Sequence, residues 1–379
     1  MGDIRLIKPY LSFDEVEAEF RDVFSTGMFT RGKNVDAFKQ ELMAFTGAKH
    51  AFLTTSATTA LWTCMKLLGI QAGDEVIVSD FSWPATAHVV EDLGARPIFA
   101  DVSLKTFNML PEELEKKITA RTKAVIFVDA LGNPSGLSEI KKICERHNLP
   151  LVEDAACAIG SSEFGRQCGS IADITCFSFH PRKLINTGEG GAILTDREDW
   201  AKWLEIKLGA GVSGVKGAGA DFVDFGYNFR LPEMASIMGR RQLAKLESII
   251  EERNKIRLDY LAALEPLGYS VQELTDSVKH NIQSLVFSVP EDVNRNQMIT
   301  CLRDRGVETT IGTYSLSSTT YYQDRYQNIQ PNSQHLFHTT LTLPCYSGVD
   351  VETVTQRIMD SQKAQSNLTL SSPIKTKGA

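Results

Sequence analysis

Between residues 51 and 196 the chain alternates between two spacings of apolar positions. Short apolar runs at 51–55, 75–79, 96–101, 123–130, 149–152 and 171–179 are bounded by polar or glycine-rich breaks and are too short for core helices, so they predict strands. Between them apolar residues recur at helical spacing, as at Leu61, Met65 and Leu68, and a helix over 138–147, with Ser138 as its N-cap, precedes the fifth run. Strand and helix in repeated alternation predict a mostly parallel sheet covered by helices on both faces. Outside this block, Phe13, Val16, Phe20, Val23 and Phe24 mark a helix, a second follows at 34–45, and one long helical stretch runs from Pro232 to about Leu264. Beyond it helices alternate with short strands such as 283–289, and the polar end, 367–379, is expected to fray.

Two of the predicted strands end in chemistry. The run at 149–152 delivers Asp154, and the run at 171–179 delivers Ser178, His180 and then Lys183, ahead of the turn Asn186-Thr187-Gly188-Glu189-Gly190-Gly191. Ligands of open α/β sheets sit outside the carboxyl ends of the strands, which sets Asp154 and Lys183 across a single pocket. A desolvated lysine forms a Schiff base with an aldehyde, and a buried carboxylate keeps a pyridinium nitrogen protonated. Pyridoxal phosphate needs both groups. An isolated lysine and aspartate are ordinarily a surface cation and a loop cap, so the neighbouring residues must decide.

A strand that turns directly into a helix presents free N–H groups to an anion, and Ser56-Ala57-Thr58 lies at such a junction. An ordinary Ser/Thr cap without ligand is the alternative. Trp83 offers a broad flat face for a ring, or else packs into the core. Asn228, in DFGYNFRLPE before the long helix, has a bland alternative as a turn residue. Gly209-Ala210-Gly211-Val212-Ser213-Gly214 fits G-x-G-x-x-G, but it follows the helical pattern of Trp200, Trp203, Leu204 and Leu208 where a dinucleotide site requires a strand. It is expected to be a mobile glycine-rich loop.

Composition narrows the partners. With 379 residues and 42% hydrophobic content the chain can build a large and a smaller domain. A net charge of −7 without a basic patch argues against nucleic acid or an anionic membrane as partner. No apolar run approaches a membrane span and the N-terminus lacks an apolar signal core, so a cytoplasmic protein is expected. The seven cysteines are scattered, without C-x-x-C or metal-like spacing, and no metal is expected. Cys157 stands apart, three residues beyond Asp154.

The segment Ser178-Phe179-His180-Pro181-Arg182-Lys183, followed by Thr187-Gly188-Glu189-Gly190-Gly191, resembles the Schiff-base segment of the DegT/StrS-type sugar aminotransferases, a family of fold-type I pyridoxal phosphate enzymes in the aspartate aminotransferase superfamily. The resemblance runs from about residue 8 to 362. It implies an α/β fold with a mostly parallel seven-stranded sheet between helices in a large cofactor-binding domain over 31–244, an N-terminal arm and first helix over 1–30, and a smaller α+β domain over 245–379. It implies a ping-pong transfer of an amino group from glutamate to a keto or aldehydo sugar. Lys183 would carry the cofactor and move protons, Asp154 would hold the ring nitrogen, and Trp83 would stack on the ring. Ser56, Ala57, Thr58 and Ser178 would hold the phosphate, completed across a homodimer by the partner's Asn228, so that active sites are shared.

Three departures from the family pattern bear on chemistry. Ala57 stands where glycine is usual, Cys157 where glutamine or histidine follows the aspartate, and Tyr314-Ser315-Leu316-Ser317 where many members have Tyr-x-Pro-(Leu/Ile)-His. Arg182 adds a cation beside Lys183 that either helps bind an acidic substrate or points to solvent; it and Tyr314 are candidate substrate contacts, and the loop at 209–214, close to the site in the family, is a candidate substrate loop. The changed segment after Tyr314 suggests an acceptor other than the common nucleotide-linked 4-keto hexose, and an acidic keto sugar, such as an oxidised octulosonate of lipopolysaccharide synthesis, is one alternative. Two other readings stand beside this one. Some relatives dehydrate sugars, commonly with histidine in place of the lysine or with iron–sulfur cysteines, and a non-catalytic regulator could bind the cofactor or a sugar as a signal.

Overall fold

The computed structural model describes residues 4–371, with side chains described through residue 365. Its centre is a seven-stranded sheet. Across it the order is His50–Thr54, Gly191–Thr195, Ile174–Ser178, Leu151–Asp154, Thr122–Val128, Glu75–Ser79 and Arg96–Ala100. Only Gly191–Thr195 runs against the others. Side chains alternate between the faces as the pleat requires: Val76 and Val78 join one core cluster while Ile77 joins the cluster on the other side. Both faces are covered, which is why the strands read as continuous apolar runs.

Strand Glu75–Ser79 matches its predicted run, while the other strands are shorter than, or offset from, theirs. The run at 171–179 holds only Ile174–Ser178, because the Asp173 carboxylate turns back to accept from the Leu151 amide at 2.8 Å and from Lys141 Nζ at 2.7 Å. Helix Leu137–Arg146 begins at Gly136, and Ser138 is not its cap. The buried Glu163 carboxylate does that work, accepting from the amides of Gly136 and Ser138 at 2.7 Å each. The long stretch after Pro232 is two helices, Glu233–Leu243 and Leu246–Leu264, broken at Ala244 and Lys245. Leu243 and Leu246 are buried in one cluster on either side of the break, so the apolar spacing passes through it unmarked.

The glycine-rich stretch is a tight turn leading into the hairpin of Val212–Lys216 and Gly219–Phe222. Gly211 has φ of +84°, and a Cβ there would lie 1.9 Å from the Asp224 carbonyl oxygen, so close backbone packing explains its glycine. A second, antiparallel sheet orders Ser270–Val271, Leu285–Ser288, Thr340–Leu343 and Thr310–Ile311. Helix Val351–Ser371 takes in the first five residues of the polar end, and 372–379 lie outside the described residues. Among the described residues, no helix is long and apolar enough to cross a membrane.

Candidate active site

Asp154 ends its strand in a buried position. Its Oδ2 accepts from Thr86 Oγ1 at 2.7 Å and its Oδ1 from the Ala156 amide at 3.3 Å, while Thr86 is itself 2.7 Å from Ser82 Oγ. Burial raises the carboxyl above its ordinary range. The Thr86 hydroxyl, the Ala156 amide and the charge of Lys183 pull the other way. Lys183 thus lies close enough for its charge to act on Asp154.

Lys183 leaves the adjacent strand on a loop closed by backbone bonds from Phe179 N to Gly190 O (2.8 Å), Thr187 N to Phe179 O (2.9 Å) and Lys183 N to His180 O (2.8 Å). Its Nζ lies 3.0 Å from Cys157 Sγ, which places Cys157 inside the site. On either side of Lys183 the backbone is gripped by one side chain. Gln283 Nε2 donates to Arg182 O at 2.7 Å, and the Leu184 amide donates to Gln283 Oε1 at 2.8 Å. Two residues earlier, Asn281 Nδ2 donates to the carbonyls of Cys157 (2.8 Å) and Ile159 (2.9 Å). The buried Arg253 in turn holds the carbonyls of Ile282 (2.7 Å), Gln283 (3.1 Å) and Cys345. This 281–283 clamp was invisible in sequence, because it lies about a hundred residues from its targets and carries no motif.

Ser56 caps helix Ala57–Leu67, accepting from the Thr59 amide at 3.1 Å while Thr59 Oγ1 accepts from the Ser56 amide at 3.1 Å. The amides of Ala57 and Thr58 meet no acceptor among the described residues, and both sit at the positive end of the helix. Ala57 is not left-handed, so the alanine costs no strain. The close approach falls instead on Gly191, where a Cβ would meet Ser56 C at 2.6 Å and Ala57 N at 2.7 Å. Ser178 is buried at the end of its strand, its Oγ accepting from the His180 amide at 3.3 Å.

Trp83 is 63% exposed and meets the Tyr314 ring edge-on at 5.7 Å. Tyr314 and Ser315 pair with Ser82 and Phe81, and Asp80, wholly buried, accepts from Ser315 Oγ (2.8 Å), Ser317 N (2.7 Å) and Ser317 Oγ (2.9 Å). The serines that break the family pattern thus point inward to Asp80. Asn228 is exposed between Tyr227 and Phe229, whose stacked rings (5.4 Å) both meet Trp62 edge-on. Arg182 is exposed, tied only through its backbone. Sequence spacing also missed a buried trio, Asp129, Glu153 and Cys168, whose ligating atoms lie within 4.8 Å of one another. Neither Asp129 oxygen has a donor among the described residues, and burial first, then the Glu153 charge, raises Asp129 well above the ordinary carboxyl value, which disfavours its charged form.

A lysine amine, a shielded carboxylate and a helix start with two free amides are groups whose chemistry suits an aldehyde-bearing pyridine phosphate. The model of the DegT/DnrJ/EryC1/StrS aminotransferase family matches residues 12–362. The chain belongs to that family. It is 32% identical over 374 residues to the spore coat polysaccharide biosynthesis protein SpsC of Bacillus subtilis, covering 94% of this chain and 96% of SpsC. Among solved structures it is similar to the aminotransferase TlmJ of Streptoalloteichus hindustanus (TM-score 0.90, 28% identity, 96% of this chain and 100% of TlmJ). It is also similar to the PLP form of the putative sugar aminotransferase Spr1654 of Streptococcus pneumoniae (TM-score 0.87, 25% identity, 97% and 99%). The protein is a pyridoxal phosphate-dependent sugar aminotransferase of fold type I.

Proposed function

We propose that the enzyme moves an amino group from glutamate to the carbonyl carbon of a keto or aldehydo sugar, in two half-reactions at one site and with ping-pong kinetics. The observation that carries this reading is that Lys183, on the loop after strand Ile174–Ser178, lies close enough for its charge to act on Asp154 at the end of the neighbouring parallel strand. Pyridoxal phosphate, when bound, supplies an aldehyde for amines and a ring that accepts electrons. Lys183 Nζ would hold that aldehyde and, once freed by the incoming amine, would move a proton as base and acid. Asp154, aimed by Thr86, would accept the ring N–H. Trp83 would offer its flat face to the ring, and Cys157, 3.0 Å from Lys183 Nζ, would border it. Ser56, the free amides of Ala57 and Thr58, Ser178 and the partner's Asn228 hold the phosphate, which makes the working unit a homodimer with shared sites.

The acceptor we propose is an acidic keto sugar of cell-surface polysaccharide synthesis, such as an oxidised octulosonate, in place of a nucleotide-linked hexose. The exposed Arg182 beside Lys183 supports it, and Ser315 and Ser317, turned inward to Asp80, stand where the usual histidine segment would be. The seven cysteines are free, which favours the cytoplasm. A panel of keto sugars assayed with glutamate, reading 2-oxoglutarate, tests the proposal. Turnover with an acidic keto sugar is expected, and turnover with nucleotide-linked hexoses alone would overturn the acidic acceptor.

A further inference from the structure

Lysine is ordinarily a surface residue, yet Lys207, in the last turn of helix Glu198–Leu208, is only 4% exposed. It shares the buried side of that helix with Trp200, Leu204 and Leu208. An ammonium there is costly unless its charge is met. One segment meets it. Lys207 Nζ lies 2.7 Å from Asp224 Oδ2, donates to Phe225 O at 3.0 Å and stands 3.4 Å from the centre of the Phe225 ring. The Lys207 carbonyl accepts from the Tyr227 amide at 2.6 Å. Asp224 passes the grip on, its Oδ1 accepting from the Phe225 amide at 2.7 Å, and the Lys207 hydrogen bond, before any other influence, holds its carboxyl below the ordinary value. One lysine thus ties down residues 224, 225 and 227.

The next residue is Asn228. Residues 225–232 belong to no helix or strand, so no ladder of backbone bonds fixes this asparagine. Tyr227 and Phe229 turn their stacked rings to Trp62, and Asn228 between them is exposed. Asparagine is common in turns because its side chain bonds to nearby backbone or because its backbone tolerates the left-handed region. Asn228 does neither: among the described residues its side chain makes no hydrogen bond, and its φ is not positive. Its amide group is left free, and the nearest hydrogen bonds that fix its place are those of Lys207.

We propose that Lys207 is a positioning residue for the neighbouring subunit's cofactor: by tying residues 224, 225 and 227 it aims Asn228 at the partner's phosphate. This rests on Asn228 completing the phosphate site of the partner. It gives the buried cation a part in the other subunit's site and none in its own.

The test reads cofactor binding, as the absorbance of the lysine-bound form, while the full-length enzyme is reloaded with pyridoxal phosphate. Lys207→Met should weaken binding roughly tenfold or more, the scale of one hydrogen bond to a charged group. Pyridoxal, which lacks the phosphate, should bind Lys207→Met and the parent alike, a split that mere loosening of the fold would not produce. Hybrid dimers with Lys183→Ala, isolated through two different tags, have one site able to bind cofactor through lysine, on the Lys207→Met chain and completed by the unaltered Asn228 of the other. That site should regain the parent affinity. Hybrids of Lys207→Met with Asn228→Ala should stay weak at both sites. Asp224→Ala, at an exposed residue, takes the place of Lys207→Met if that variant fails to fold, and should give the same pattern. The proposal is overturned if the Lys183→Ala hybrid stays as weak as Lys207→Met alone while the hybrid of Asn228→Ala with Lys183→Ala recovers, because Lys207 then acts within its own subunit. Failure of both hybrids to recover removes the role of Asn228 and the proposal with it. Unchanged affinity for pyridoxal phosphate in Lys207→Met, or an equal loss for pyridoxal, removes the proposal alone.

Discussion

Replacing Gln283 by Leu removes the side chain that grips the backbone on both sides of Lys183 while leaving Lys183 itself intact. The buried Gln283 makes two bonds there, at 2.7 Å to Arg182 O and 2.8 Å from the Leu184 amide. Leucine keeps the bulk and loses both. Arg182 is exposed, so water can reach its carbonyl, but Leu184 is buried and its amide would be left without an acceptor. One buried unsatisfied amide costs about 1–3 kcal/mol, so global stability should fall by about that much in a denaturant titration. The catalytic cost should be larger. Relieving the orphaned amide means moving the loop, and a shift of about 1 Å at Nζ is enough for roughly a hundredfold loss of turnover. A fall of that order in kcat, with KM for glutamate little changed, is the expected pattern. Gln283→Glu, which keeps the acceptor for Leu184 but sets oxygen against oxygen at Arg182, should lie between. Destabilisation of Gln283→Leu by 1–3 kcal/mol with turnover within about threefold of the parent would refute the reasoning, since Lys183 would then be held independently of Gln283.

Asp154→Asn should retain cofactor and lose at least about a hundredfold in turnover, because a neutral amide cannot keep the ring nitrogen protonated; a loss under about threefold would make Asp154 a loop cap. Burial raises Asp80 from 3.8 to about 6, so the folded chain holds that proton more tightly than the unfolded chain, and this contribution to stability is complete below pH 3.8 and lost as pH rises to about 6. At about 1.4 kcal/mol per pH unit the loss is about 3 kcal/mol, and Asp80→Asn should remove that slope from stability measured across this window. Asp129→Asn should leave the fold intact and be neutral or stabilising, since burial and the Glu153 charge both disfavour an ionised carboxylate there; strong destabilisation in a denaturant titration would mean that its charge is needed. Mixing Lys183→Ala chains with chains impaired at Asn228 should restore activity above the sum of the two, as hybrid dimers regain one unaltered site; exchange of subunits without recovery would leave Asn228 a turn residue.

The sheet could be read from the chain because its strands are buried on both faces and its crossovers are helical, which leaves apolar runs separated by helical spacing. The same logic placed Asp154, Ser178 and Lys183, since strand ends and the loop beyond them are local features. Sequence failed where an element is completed by a distant side chain. Glu163, not Ser138, caps helix Leu137–Arg146, and nothing near residue 138 announces it. Asn281, Gln283 and Arg253 fix the lysine loop from the far end of the chain. The glycine at 191 and the alanine at 57 had to be read together, because which of two crossing backbones needs the missing Cβ is a property of their contact. The break between Leu243 and Leu246 escaped periodicity, because both leucines stay buried in one cluster and no glycine or proline marks it.

The most direct test of the account is to locate the cofactor on the chain. The purified protein should be yellow, and borohydride reduction followed by proteolysis and mass spectrometry should find the cofactor mass on the peptide that carries Lys183, with colour, label and transamination all lost in Lys183→Ala. Label on any other lysine, or transamination near the parent rate in Lys183→Ala, would contradict the central assignment.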